Sequence, residues 1–149
     1  VHPDASGLPL RFSREHRETQ RKNKYMNDYD ELSGKVIGCA IEVHRNLGPG
    51  LLESAYERCL SFELLKGNIH HYVQKELPIN YKNIKLDCGY RVDLMIEDKL
   101  IIELKSVETV LPIHEAQLLT YMKLAGIKTG LLINFNVTLL KNGIKRFVL

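Results

Sequence analysis

The stretch Tyr90-Arg-Val-Asp-Leu-Met-Ile-Glu-Asp-Lys-Leu-Ile-Ile-Glu-Leu-Lys105 decides the fold. Two short apolar runs, Val92 with Leu94 to Ile96 and Leu100 to Ile102 with Leu104, flank the charged turn Glu97-Asp98-Lys99. Apolar runs of this length on either side of a polar turn predict an antiparallel β-hairpin. Loop length sets its register. A three-residue loop pairs Asp93 opposite Glu103 with both carboxylates on one face, whereas a two-residue loop separates them. We expect the three-residue loop. Alternation then places Glu103 and Lys105 on one face of the second strand, and Ile102 and Leu104 on the other, toward a core.

Two carboxylates about 4 Å apart repel by roughly 4 kcal/mol at an effective dielectric near 20, so keeping both ionised requires a cation between them. The available ligands are oxygens, which suits a hard divalent ion such as Mg²⁺. Lys105 cannot be a ligand; its expected work is to orient or deprotonate a water on the ion and to counter charge on a phosphate. A Glu-x-Lys on a strand is more often a solvated face. Here Leu100-Ile101-Ile102 is apolar on both sides of the sheet, so Glu103 is expected to be partly buried and to need a partner.

At 149 residues and 44% hydrophobic content, the chain fits one globular domain with a single substantial core. No apolar run is long enough to span a membrane or to act as a signal peptide, and a cytoplasmic location is the default expectation. Cys39, Cys59 and Cys88 are odd in number and widely spaced, which fits reduced thiols. The net charge of +3 lies within residues 1–25, where six basic side chains face three acidic ones. The rest is neutral, which argues against strong non-specific affinity for nucleic acid from the folded body. Residues 1–25 are expected to form a flexible basic arm or an extension preceding a start at Met26, with the domain over residues 26–149.

Leu32, Val36, Ala40, Val43 and Leu47 form an apolar helical stripe from about Asp28, ended by Gly48-Pro49-Gly50. A second helix is expected over Leu51 to Lys66, with Leu52, Tyr56, Cys59 and Leu60 toward the core. On that helix Glu53 reads as a first-turn acid favoured by the helix dipole and Tyr56 as a packing aromatic. Strands follow over His71 to Leu77 and, after a turn at Lys82-Asn83, into the Asp93 segment. Pro112 starts a helix that Gly126 stops, with Gln117 and Tyr121 one turn apart. Lys128 to Phe135 reads as an apolar strand, and Asn142-Gly143 as a two-residue hairpin turn before a last strand. The order predicts an α/β fold with a central mixed sheet flanked by helices.

Asp93 followed by Glu103-Leu104-Lys105 resembles the D…(D/E)xK signature of the PD-(D/E)XK nuclease superfamily, with Val92 in place of the signature proline. Gly50-Leu-Leu-Glu53-Ser-Ala-Tyr56 is similar to the motif of its GxxExxY family, and Gln117-Leu-Leu-Thr-Tyr121 resembles the QxxxY element of its recombination-exonuclease branch. The resemblance covers about Leu32 to Phe135 and implies a restriction-endonuclease-like core. It implies that Asp93, Glu103 and the Leu104 carbonyl bind Mg²⁺ or Mn²⁺, with Glu53 direct or through water. It further implies that Lys105 positions the attacking water, that Gln117 orients Lys105 or substrate, and that Tyr56 and Tyr121 line the cleft.

The expected function is therefore metal-dependent hydrolysis of phosphodiester bonds, with DNA as the expected nucleic-acid substrate. The alternative is a non-catalytic nuclease-fold module that binds nucleic acid or protein. The neutral body favours that module, or an enzyme that relies on a protein partner or on a homodimer for its substrate.

Overall fold

The computed structural model describes the backbone of residues 13–149, and side chains at 13–15, 17 and 31–149. Helix α1 spans Arg14–Leu47. Residues 1–12 of the expected arm lie outside the described residues. From Arg14 to Tyr25 the chain is helical, because no glycine or proline interrupts a run of Arg, Glu, Gln and Lys, all good helix formers. Leu32, Val36, Ala40 and Val43 are buried as the stripe requires, while Leu47, on the last turn, is 38% exposed. Each buried Leu or Val contributes about 1.5–3 kcal/mol. Gly48, at φ 65°, donates its N–H to the His44 carbonyl at 2.8 Å and ends the helix.

Helix α2 spans Glu53–Lys66 and buries Tyr56, Leu60 and Leu64. Leu52, expected inside, caps the helix and is 77% exposed, because it precedes the first helical turn and stands off the buried face. Strand β1 spans His71–Glu76, β2 Ile79–Tyr81, β3 Ile84–Leu86, β4 Arg91–Ile96 and β5 Leu100–Lys105. Helix α3 covers Pro112–Ala125, β6 Thr129–Asn134 and β7 Ile144–Val148. The strand expected to run into the Asp93 segment is instead two pieces: β2 and β3 form a separate hairpin, turned by Lys82 and Asn83 at positive φ.

The main sheet has the order β1-β4-β5-β6-β7. All neighbours are antiparallel except β5 and β6, which the α3 crossover makes parallel. Leu94, Ile96, Leu100, Ile102 and Leu104 pack on one face with α1 and α2. Met95, Ile101 and Leu132 pack on the other with Leu118, Tyr121 and Met122 of α3. This is the mixed α/β sheet flanked by helices that the sequence predicts. The Asn142-Gly143 hairpin does not form as expected. A short 3₁₀ turn, Leu140–Gly143, ends a longer β6–β7 connection, because Leu140 is drawn into the core.

Candidate active site

The β4–β5 hairpin has the three-residue loop, with Ile96 opposite Leu100, Met95 opposite Ile101 and Leu94 opposite Ile102. Glu97 and Asp98 both take positive φ, and the Lys99 N–H donates to the Ile96 carbonyl at 2.9 Å. Regular pairing stops at Leu94 and Ile102, one step short of Asp93 and Glu103. There the side chains replace the ladder. The Asp93 N–H donates to Glu103 Oε1 at 3.2 Å, and the Leu104 N–H donates to Asp93 Oδ2 at 2.8 Å.

The pairing of β1 with β4 is also interrupted at Asp93. Val73 and Lys75 pair with Leu94 and Val92, while Gln74 between them sits at φ 52°. Its amide nitrogen donates to Asp93 Oδ1 at 3.0 Å and to Glu57 Oε2 of α2 at 2.7 Å. Strict alternation along β4 is lost here too, since Val92 packs with Met95 on the α3 side while Leu94 packs on the α1/α2 side. Asp93 is thus the point at which the sheet opens.

Glu103 is buried, at 6% exposure, in the middle of the sheet. Burial, reinforced by the neighbouring Asp93 charge, pushes its carboxyl up to about 8, against the opposing Asp93 N–H and the Lys105 charge. Burial likewise raises Glu57, opposed by the hydrogen bond from Gln74 and reinforced by the charges of Asp93 and Glu53.

Two cavities flank this hairpin end. The first, about 640 Å³, is lined by Glu53, Glu57, Gln74, Asp93 and Ser106, with Leu51 and Leu52 at its side. The second, about 560 Å³, lies against α3 and is lined by Lys105, Gln117 and Tyr121 together with Tyr90 and apolar side chains. The expected single face is therefore divided. Asp93 opens toward α2 and Lys105 toward α3, because the main chain kinks at Asp93, and Glu103 lies between them. Gln117 donates its amide to the Tyr121 hydroxyl at 2.7 Å. Burial raises the Tyr121 hydroxyl, opposed by Gln117 and reinforced by Glu103, Tyr90 and Asp93, so this ring is within electrostatic reach of both carboxylates.

Tyr56 is not in either cavity. It is completely buried, stacked on Phe135 with ring centroids 4.3 Å apart. Its hydroxyl donates to the Gly48 carbonyl at 2.6 Å and accepts the Leu51 N–H at 3.2 Å. The cleft-lining role implied by the resemblance gives way to bracing of the Gly48-Pro49-Gly50 loop, which in turn sets the start of α2 and Glu53. The Ser106 hydroxyl donates to the Leu51 carbonyl at 2.6 Å and ties the end of β5 to that same loop.

Sequence reasoning missed Gln74, Glu57, Tyr90 and Asn134. Glu57 carried a signal, since it lies one turn after Glu53 on α2. Gln74 and Asn134 carried none. The buried Asn134 amide donates to the Val107 carbonyl at 2.9 Å and accepts the Val107 N–H at 3.1 Å, fixing the chain just beyond Lys105.

Among the described residues, no three His, Cys, Asp or Glu side chains converge as a ready-made metal cage. The donor chemistry nonetheless fits a hard divalent ion. Such an ion needs only one or two carboxylates and retains water, and the half-buried Asp93 and the buried Glu103 repel each other in a way that a cation would relieve.

A mixed sheet with an acid where its central hairpin opens, and Glu-x-Lys on the adjoining strand, is the restriction-endonuclease-like fold. A family model for the PD-(D/E)XK nuclease superfamily matches residues 30–147, and the chain belongs to that superfamily. Members usually use divalent metal ions, and membership points to a nuclease that binds nucleic acid. No curated protein and no solved structure gives a significant match. Among the described residues no helix is long and apolar enough to cross a membrane.

Proposed function

We propose that the protein is a metal-dependent deoxyribonuclease of the GxxExxY branch, acting in the cytoplasm and hydrolysing phosphodiester bonds in DNA. The observation that carries this reading is Glu103: a carboxyl in the middle of a sheet, beside a second acid, with no apolar replacement, is retained at a cost in stability. Asp93, Glu103 and the Leu104 carbonyl would hold Mg²⁺ or Mn²⁺, with Glu53 in the Asp93 cavity acting directly or through water. When bound, the ion supplies Lewis-acid stabilisation and lowers the pKa of water.

The chain's own residues do the rest. The Leu104 and Gln74 N–H groups orient the Asp93 carboxylate. Lys105 takes a proton from, or orients, the attacking water, and opposes the charge that builds on the phosphate. Gln117, held by Tyr121, hydrogen-bonds substrate near that lysine. The test is Mg²⁺ and Mn²⁺ titration calorimetry on the wild type and Asp93→Asn, beside cleavage assays on single-stranded, duplex and branched DNA. We expect metal-dependent cleavage and loss of binding in the variant. A folded protein that binds no metal and cleaves nothing would be a non-catalytic module instead.

A further inference from the structure

The cavity against α3 differs in chemistry from its neighbour. No carboxylate lines it, whereas Glu53, Glu57 and Asp93 face the other. Its one formal cation, Lys105, stands at the end adjoining Glu103. The walls are Ile79 of β2, Ile113 and Leu124 of α3, and the rings of Tyr90 and Tyr121, and the Gln117 amide and Thr120 hydroxyl add hydrogen-bonding groups. Tyr121 is buried and lines the cavity. Tyr90 lies 6.1 Å from it, tilted by 60°, and its side is open. Tyr90 is 43% exposed and Ile113 67%, so apolar surface is presented here that nothing in the described chain covers.

We infer that this cavity is a base-binding pocket for an unpaired nucleobase of the DNA strand whose phosphate lies at Lys105, so that the substrate is single-stranded or frayed DNA. This rests on the nuclease reading. An apolar, aromatic cavity with a few polar groups suits a flat heteroaromatic ring, and its 560 Å³ lies in the range of small-molecule sites. Bases stack on aromatic side chains whatever their identity, because each has a π-face. A base inside a duplex has both faces covered by its neighbours and its edge paired, so it cannot enter a pocket recessed beside α3. The separation of charge fits a nucleotide as well, with the phosphate at the lysine and the uncharged ring away from the acids.

The test is fluorescence anisotropy with the full chain and a labelled single-stranded oligodeoxynucleotide, in Ca²⁺ and again in EDTA, against a blunt duplex of the same sequence. We expect the single strand to bind at least tenfold more tightly than the duplex. Tyr90→Ala and Ile113→Asp should each weaken single-strand binding about tenfold, while Tyr90→Phe keeps it. Both sites are exposed, and thermal unfolding checks that the variants fold. An abasic nucleotide moved along the strand should weaken binding at one position, and that penalty should vanish in Tyr90→Ala. Equal affinity for strand and duplex, or wild-type affinity in both Tyr90→Ala and Ile113→Asp, overturns the pocket. If the binding pattern holds while Mg²⁺ gives no cleavage, the pocket stands and the nuclease reading falls; intact cleavage with unaffected variants does the reverse.

Discussion

The main-chain N–H of Asp93 donates to the carboxyl of Glu103 at 3.2 Å, at the step where the ladder between their strands would otherwise continue. One strand's backbone is thus satisfied by the other strand's side chain, and the Asp93 carboxylate returns the exchange by accepting the Leu104 N–H. The sheet can open at this point without leaving a buried donor unpaired. Opening a sheet in its interior is what brings α2 and α3 to the same pair of acids from opposite sides.

Because Glu103 holds its proton up to about 8, stability and metal binding should both depend on pH in a predictable sense. In the unfolded chain this carboxyl ionises near 4.5, so between 4.5 and 8 the unfolded state has lost a proton that the folded state keeps. The metal-free protein should therefore lose stability as pH rises through that window, by a few kcal/mol in total, and level off above it. Thermal melts of wild type and Glu103→Gln, measured from pH 5 to 9 in chelator, check this: the Glu103 contribution should be absent from the variant.

The same proton must leave when a divalent cation binds. Affinity for Mg²⁺ or Mn²⁺ should rise by up to about tenfold per pH unit below about 8 and flatten above it. Calorimetry near neutral pH, in buffers of different ionisation enthalpy, should report close to one proton released. No release would show that the bound ion does not use the ionised Glu103 carboxylate.

Tyr56→Phe separates bracing from substrate contact. It would remove two part-buried hydrogen bonds, the one to the half-buried Gly48 carbonyl and the one from the Leu51 N–H, at a combined cost of about 1–3 kcal/mol in stability. Cleavage at a temperature where the variant is folded should stay within a few-fold of wild type, with KM unchanged. A large rise in KM without loss of stability would return Tyr56 to the substrate.

Gly143→Ala should destabilise by about 3 kcal/mol, at the upper end for overpacking, because the new Cβ would collide with the Asn134 main-chain carbonyl. A main chain cannot rotate away as a side chain can. Denaturant melts check this, with Gly38→Ala as the contrast, since a Cβ there meets nothing.

Gly143 also shows what the sequence could and could not convey. The hairpin register, the helical stripe of Leu32 to Val43 and the α3 boundaries at Pro112 and Gly126 follow from local periodicity and local stop signals, and each was legible. Asn142-Gly143 looked like a tight turn because those residues favour one, yet this glycine is required by a close approach between chain segments. Division of the site into two cavities was likewise illegible. It depends on the backbone kink at Asp93 and on Gln74, which lies 19 residues away and reaches Asp93 only once β1 pairs with β4.

Lys105 should prove separable from the acids. It is half-buried beyond Glu103 on β5, opens into the α3-side cavity and cannot ligate a cation. Lys105→Ala should lower cleavage by about 10²–10⁴-fold, the usual worth of a positioned proton-transfer group, and leave folding intact. Lys105→Arg should not restore the rate if the lysine exchanges a proton, since a guanidinium keeps its own. The Lys105 charge helps to ionise Glu103, so removing it should weaken metal binding near neutral pH. At pH 9 and above that indirect effect should shrink, and a remaining cleavage defect there would belong to the water and the phosphate alone. Full cleavage by Lys105→Ala at pH 9 would confine this residue to tuning Glu103.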